Sequence, residues 1–155
     1  MSSTLLWFSC INVELSVSGP GGHSSMPPVK KEEKSIVSIL GDAIKKLEAN
    51  PLPPHFEKDS GLRLTLQYLA SEKTVLPPSF PFNLIFSNLW LFGTLIKQFM
   101  LKSSNAGAAM LRTTTAVCMI KGGTKLNILP YVVQAYVNHR VHPMDTIESV
   151  LEYDR

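Results

Sequence analysis

Charge is scarce in this 155-residue chain, at 17%, and it does not gather into a block of one sign. The net charge of +3 is spread out, and the one dense run, Lys30-Lys31-Glu32-Glu33-Lys34, mixes both signs. A nucleic-acid surface needs cations concentrated on one stripe, so no nucleic-acid partner is expected. Cysteine is scarcer still. Cys10 and Cys118 are the only two, far apart and without a Cys-x-x-Cys. They read as two buried free thiols in preference to a disulfide. Hydrophobic residues, at 45%, are not in short supply, and the length suits one domain with its own core.

Export and membrane signals are lacking as well. Leu5-Leu6-Trp7-Phe8 makes the start apolar, but no basic segment precedes it and no small-residue cleavage site follows, so it does not read as a signal peptide. The uncharged run between Lys73 and Lys97 is long enough to raise the question of a bilayer span. Pro77, Pro78 and Pro81 break its first third, and a helix starting after Pro81 is about 22 Å long against a hydrocarbon core of about 30 Å. No membrane partner is expected. The run reads as one or two apolar helices from Phe82 to Leu101, buried as an insertion. A membrane-surface or acyl-chain-binding role for it is the weaker alternative.

Familiar chemical motifs fail one by one. Gly19-x-Gly21 has Ser24 where a dinucleotide fingerprint needs its third glycine, and no Gly-Lys-Ser/Thr is present for a phosphate loop. Gly22-x-Ser24-x-Met26 lacks the closing glycine of a nucleophile elbow. His139 and His142, three apart on a strand, point to opposite faces and do not share a metal. No metal cage and no complete catalytic set is legible.

What is there is an ordered succession of elements. Ile11, Val13, Leu15 and Val17 alternate with Asn12, Glu14, Ser16 and Ser18, the pattern of a half-buried strand. The loop Gly19-Pro20-Gly21-Gly22-His23-Ser24-Ser25-Met26-Pro27-Pro28 follows, and its glycines permit close backbone approach to a ligand around one imidazole. A helix is predicted from Lys31 to Asn50, with Ile36, Ile39, Leu40, Ala43, Ile44 and Leu47 inward. Leu62 to Ala70 fits both a strand and a helix face, and the helix is preferred. Ser103 to Ala109 reads as a small-residue linker. Two further strands are predicted, Arg112–Lys121 and Tyr131–Val141, joined through Gly122-Gly123. A last helix spans Thr146–Tyr153, with Asp145 as its N-cap.

This order is a split β-α-β layout: an α+β, ferredoxin-like domain with an antiparallel sheet, helices on one face, a helical insertion at about 52–110 and the final strand missing. Alternation in the last strand puts Val133, Ala135 and Val137 on one face and Gln134, Asn138 and Arg140 on the other. If the valines meet the helices, Arg140 looks out from the open face, where a guanidinium suits an anion.

A strand, Gly-x-Gly-Gly-His-Ser-Ser-x-Pro, a helix, then Gly-Gly-x-Lys-x-Asn-x-x-Pro and a strand ending Asn-x-Arg resembles the dimerisation (lid) domain of the zinc aminoacylase/carboxypeptidase family of metallopeptidases. Arg112-Thr-Thr-Thr-Ala and Leu126-Asn127-Ile128-Leu129-Pro130 are most similar to the branch holding N-fatty-acyl-amino acid synthase/hydrolases and Gly-X carboxypeptidases (carboxypeptidase S), which is secreted or vacuolar. Localisation of this chain stays open.

The resemblance implies a zinc-dependent amidohydrolase or carboxypeptidase that cleaves or forms the amide of N-acyl amino acids. It implies a homodimer formed through the lid. It also makes His23 an oxyanion- and substrate-binding group in the partner subunit's site, and Asn127 and Arg140 substrate-binding residues, Arg140 on the carboxylate. The family's zinc ligands are absent, since the chain contains no His-x-Asp and its Glu32-Glu33 falls after the first lid strand. Residues 1–10 are then an atypical segment and 11–155 a partial lid. The alternative is a non-catalytic interaction fragment that pairs with a full-length subunit.

Overall fold

The computed structural model describes residues 9–28, 34–71, 85 and 88–154. The apolar start at 1–8, most of the mixed charge run and the proline-broken part of the uncharged run lie outside the described residues. β1 (Ser9–Ser18) leads into a two-residue strand β2 (Gly22–His23), then α1 (Ile36–Ala49). An α-helical stretch follows as α2 (Gly61–Ser71), α3 (Leu89–Ser103) and α4 (Asn105–Ala109). The chain then returns through β3 (Thr114–Gly122), β4 (Ile128–Leu129), β5 (Val132–Val141) and α5 (Ile147–Tyr153).

The main sheet has the order β1-β5-β3 and is antiparallel throughout. β5 thus separates β1 from β3, which is what splits the β-α-β unit. Val13 and Val117 both face Val137 across the ladders, and a bulge between Val117 and Met119 gives β3 one extra residue, Cys118. Alternation in the sequence becomes alternation in burial. Val133, Ala135, Val137, His139 and Val141 are buried, while Arg140 is exposed on the other face.

Two helices cover the buried face. α1 sets Ile36 and Leu40 on Val133 and Ala135, with Leu15, Val17, Ile44 and Val117 packed around them. Its ends are closed by Ser35, whose side chain accepts from Ser38 N, and by Asn50, whose amide donates to the Lys46 carbonyl at 2.8 Å. α5 inserts Val150 beside Leu52 and Val141, with Ile11 against them. No helix among the described residues is long and apolar enough to cross a membrane.

Several expectations are corrected. The apolar run read as a buried insertion forms α3 over its last part, and Trp90, Leu91, Leu95 and Phe99 on that helix are exposed among the described residues. In α1, Ile39, read as inward, is exposed, while Ile36 and Leu40 are buried. Cys10 and Cys118 are free but exposed, because Cys10 shares the outward parity of Asn12 and Cys118 sits at the bulge. The N-cap of α5 is Thr146, not Asp145: Thr146 and Ser149 exchange bonds in a capping box. The segment read as a linker, Ser103 to Ala109, contains α4, since Ser104 caps Gly107 N at 3.0 Å and three alanines favour the helix. The predicted helix at 31–50 starts at Ile36 among the described residues. The ambiguous stretch at 62–70 is helical, and the Ser60 hydroxyl accepts from Arg63 N at its start.

Candidate functional site

The glycine-rich loop folds back on the segment before β5 and is tied there at three levels. Gly19 N donates to the Tyr131 carbonyl at 3.0 Å, and Ser24 N donates to the Asn127 carbonyl at 3.0 Å. Between them β2 and β4 pair as Gly22↔Leu129 and His23↔Ile128. Gly21 has to be glycine for this approach. A Cβ there would lie 2.8 Å from both the Leu129 carbonyl oxygen and the Tyr131 ring. The chain reaches β4 through Gly123, whose φ of 75° reverses it after β3. His23 thus pairs with Ile128, and the Ser24–Asn127 bond brings the Asn127 backbone, more than a hundred positions away in sequence, up to the loop.

His23 is exposed, and its tautomer is set locally. Ser25 N–H donates to Nδ1 at 3.2 Å and the Ser25 hydroxyl lies 2.8 Å from the same nitrogen. Nδ1 thus carries the lone pair, which leaves the proton of the neutral ring on Nε2. No described residue engages Nε2–H, so it is a donor available to a ligand. Alongside the loop, a cleft of about 990 Å³ runs to the start of α1, lined by Gly21, Gly22, Met26, Pro27, Ile36, Val37 and Leu129 among others.

Arg140 is not part of this cluster. It stands near the far end of β5, opposite Cys10 and Thr114. Eight strand positions beyond Val132 place it about 27 Å from the loop end of the sheet. Its surroundings on the open face are neutral: the Asn138 amide donates to Asn12 Oδ1 at 2.8 Å and to Cys10 Sγ at 2.9 Å. Glu14, the acid on that face, accepts from Gln134. Among the described residues Arg140 forms no ion pair, so its guanidinium is an uncompensated cation, suited to a carboxylate. One chain ties the backbone stretches that carry His23 and Asn127 to each other and holds Arg140 apart.

A second polar cluster was not anticipated from the sequence. His55, Thr113, His142 and Asp145 converge where the α1–α2 connector meets the end of β5. Burial, reinforced by the neighbouring His55, holds the His142 pKa below its ordinary value. His139, fully buried, lies separately, with Thr115 Oγ1 at 3.1 Å and the Asp154 carboxylate at 3.0 Å. The Nε2–carboxylate contact is close but poorly aligned for a hydrogen bond, and Asp154 Oδ1 has no partner among the described residues. These residues lie in unrelated stretches with no motif between them, so no local signal marks them. Nor do they suit a metal. Both Asp145 oxygens are already engaged, and no three His, Cys, Asp or Glu side chains among the described residues converge to hold an ion.

Comparison with known proteins gives a consistent picture. A family model described as "Peptidase dimerisation domain" matches residues 8–153. The human (Homo sapiens) N-fatty-acyl-amino acid synthase/hydrolase is 43% identical, over 92% of this chain and 26% of its own length. A probable carboxypeptidase S-like protein of Dictyostelium discoideum is 35% identical, over 92% of this chain and 25% of its own. Carboxypeptidase S of Saccharomyces cerevisiae is 29% identical, over 92% of this chain and 24% of its own. The chain thus spans about a quarter of the length of these relatives.

Proposed function

The chain belongs to the peptidase dimerisation-domain family, and on that premise we propose that it is the lid and dimerisation part of a zinc-dependent hydrolase acting on the amide of N-acyl amino acids. The observation that supports the reading is the β2–β4 ladder, which holds the exposed His23 opposite Ile128, with the adjoining Ser24 bonded to the Asn127 backbone and the His23 Nε2–H unengaged among the described residues. The names of the relatives supply the substrate class: N-fatty-acyl-amino acids for one, and carboxypeptidase action for the others.

In this reading His23 donates Nε2–H to the oxygen of the cleaved amide as negative charge develops there. A preorganised donor of this kind contributes about 3 kcal/mol or more. Arg140 pairs with the substrate carboxylate, and Asn127 contacts the substrate next to His23. Because Arg140 lies about 27 Å from the loop, the two reach one substrate only when they come from different chains, which accords with dimerisation through this domain. No three His, Cys, Asp or Glu side chains among the described residues converge to hold zinc; in this reading the metal is held by a catalytic part of a complete subunit.

The test is kinetic, in a complete subunit carrying this domain. His23→Ala is expected to lower kcat by roughly a hundredfold or more with little change in KM. Arg140→Ala is expected mainly to raise KM. Unchanged kinetics in both variants would remove the assignment. A second reading rests on the sheet edges: the outer edges of β1 and β3 have no partner strand among the described residues. By this reading the chain is an interaction fragment that pairs with a full-length subunit and has no activity of its own. Zinc-dependent amide hydrolysis by the purified 155 residues would refute it.

A further inference from the structure

The connector between α1 and α2 is fastened to the end of the sheet by a polar network remote from His23. Asp145 Oδ1 accepts from His55 Nε2 at 2.8 Å, and Oδ2 accepts from the Thr113 hydroxyl. Thr113 Oγ1 accepts from His142 N–H at 2.8 Å, and His55 N–H donates to the Leu111 carbonyl at 2.6 Å. The rings of His55 and His142 stack with centroids 5.0 Å apart and 17° between their planes. Thr113 and His142 are buried, at 1% and 6% exposure, so solvent does little to cushion a change of charge.

His142 is held there as a neutral base. Met144 N–H donates to its Nδ1 at 3.2 Å, which places the ring proton on Nε2, and the Met110 backbone also bonds the ring. The charged and titratable groups facing it are His55 and Glu57 from the connector and Asp145 from the turn after β5. Thr113 and the Met110 backbone are neutral. Burial and His55 oppose a charge on His142 more than Asp145, Met110 and Glu57 favour one.

We propose that His142 is an acid-triggered latch: a proton taken from solvent onto Nδ1 sets two donors against each other at Met144 N–H, drives apart the stacked rings and frees the connector 51–60 from the strand end that carries Arg140. The direction follows from linkage. In the unfolded chain the imidazole takes a proton near its ordinary 6.5, and in the folded chain only at lower pH. The latch therefore contributes fully above 6.5, and its contribution falls as the pH drops below that value toward the folded pKa.

Amide hydrogen exchange on the intact chain tests this, corrected for the intrinsic pH dependence of exchange and read over 51–60 and 143–146. Between about pH 7.5 and about pH 5.5, protection of these segments is expected to fall roughly tenfold in the wild type while α1 keeps its own. His142→Asn, whose side-chain oxygen still accepts from Met144 N–H but does not ionise, is expected to hold protection across the same interval. A parallel fall in both proteins, or no fall in the wild type, overturns the latch. If the variant misfolds, an NMR titration of the His142 ring in the wild type decides: loss of connector protection that tracks the ring supports the latch, and a ring that titrates while the connector stays closed overturns it.

Discussion

Gly21 shows how a single missing side chain positions a candidate site. The loop backbone lies so near the Leu129 carbonyl and the Tyr131 ring that a methyl group would sit 2.8 Å from each. A backbone oxygen does not swing aside as a flexible side chain does. Gly21→Ala is therefore expected to cost about 1–3 kcal/mol, the usual range for overpacking, read as a lower urea midpoint. It is also expected to speed exchange at Ser24 N–H, which is bonded to the Asn127 carbonyl. Full stability with unchanged exchange would mean that the loop is not held by this contact. Ser25 works at the same scale: its N–H fixes the proton of His23 on Nε2, a detail that glycine and histidine spacing cannot convey.

Among the elements, α5 illustrates what a sequence discloses and what it hides. Spacing conveys its approximate span and points Ile147, Val150 and Leu151 inward; Val150 is buried as expected, but Ile147 and Leu151 are exposed. Its cap was not legible, because Asp145 and Thr146 are both good caps, and Asp145 is drawn away by His55, a partner 90 positions distant. Thr146→Ala is expected to lower stability by about 1 kcal/mol, measured as a shift in the thermal midpoint, whereas Ser149→Ala should cost less because it removes only the reciprocal half of the box.

β1 and β5 were legible because strict alternation leaves one way to face the core. The same parity places Cys10 outward beside Asn12, although composition alone suggested burial. Small residues misled at 103–109, where a Ser cap and alanines make a short helix out of an apparent linker. His23 stood out through its glycines. The His55–His142 stack did not, since its members meet only after the connector folds across the sheet end.

For the whole molecule, the decisive dimension is the length of β5. The loop pair and the guanidinium occupy opposite ends of one stiff sheet, so no hinge within the described strands brings them to one ligand. Two defective forms of the chain should therefore rescue each other. In complete subunits, a His23→Ala parent and an Arg140→Ala parent each spoil both sites of their own dimers. A mixed pair concentrates both lesions in one site and leaves the other with an intact imidazole and an intact guanidinium. Mixing the two after dissociation should recover about half the activity of a wild-type dimer in each mixed pair, roughly a quarter overall for random exchange of equal parts, assuming independent sites. Absence of any recovery, once mixed pairs are confirmed by mass, would place both groups in the same chain's site. A strand used as a spacer turns a question about chemistry into one of inheritance: whether function is carried by a subunit or only by a couple.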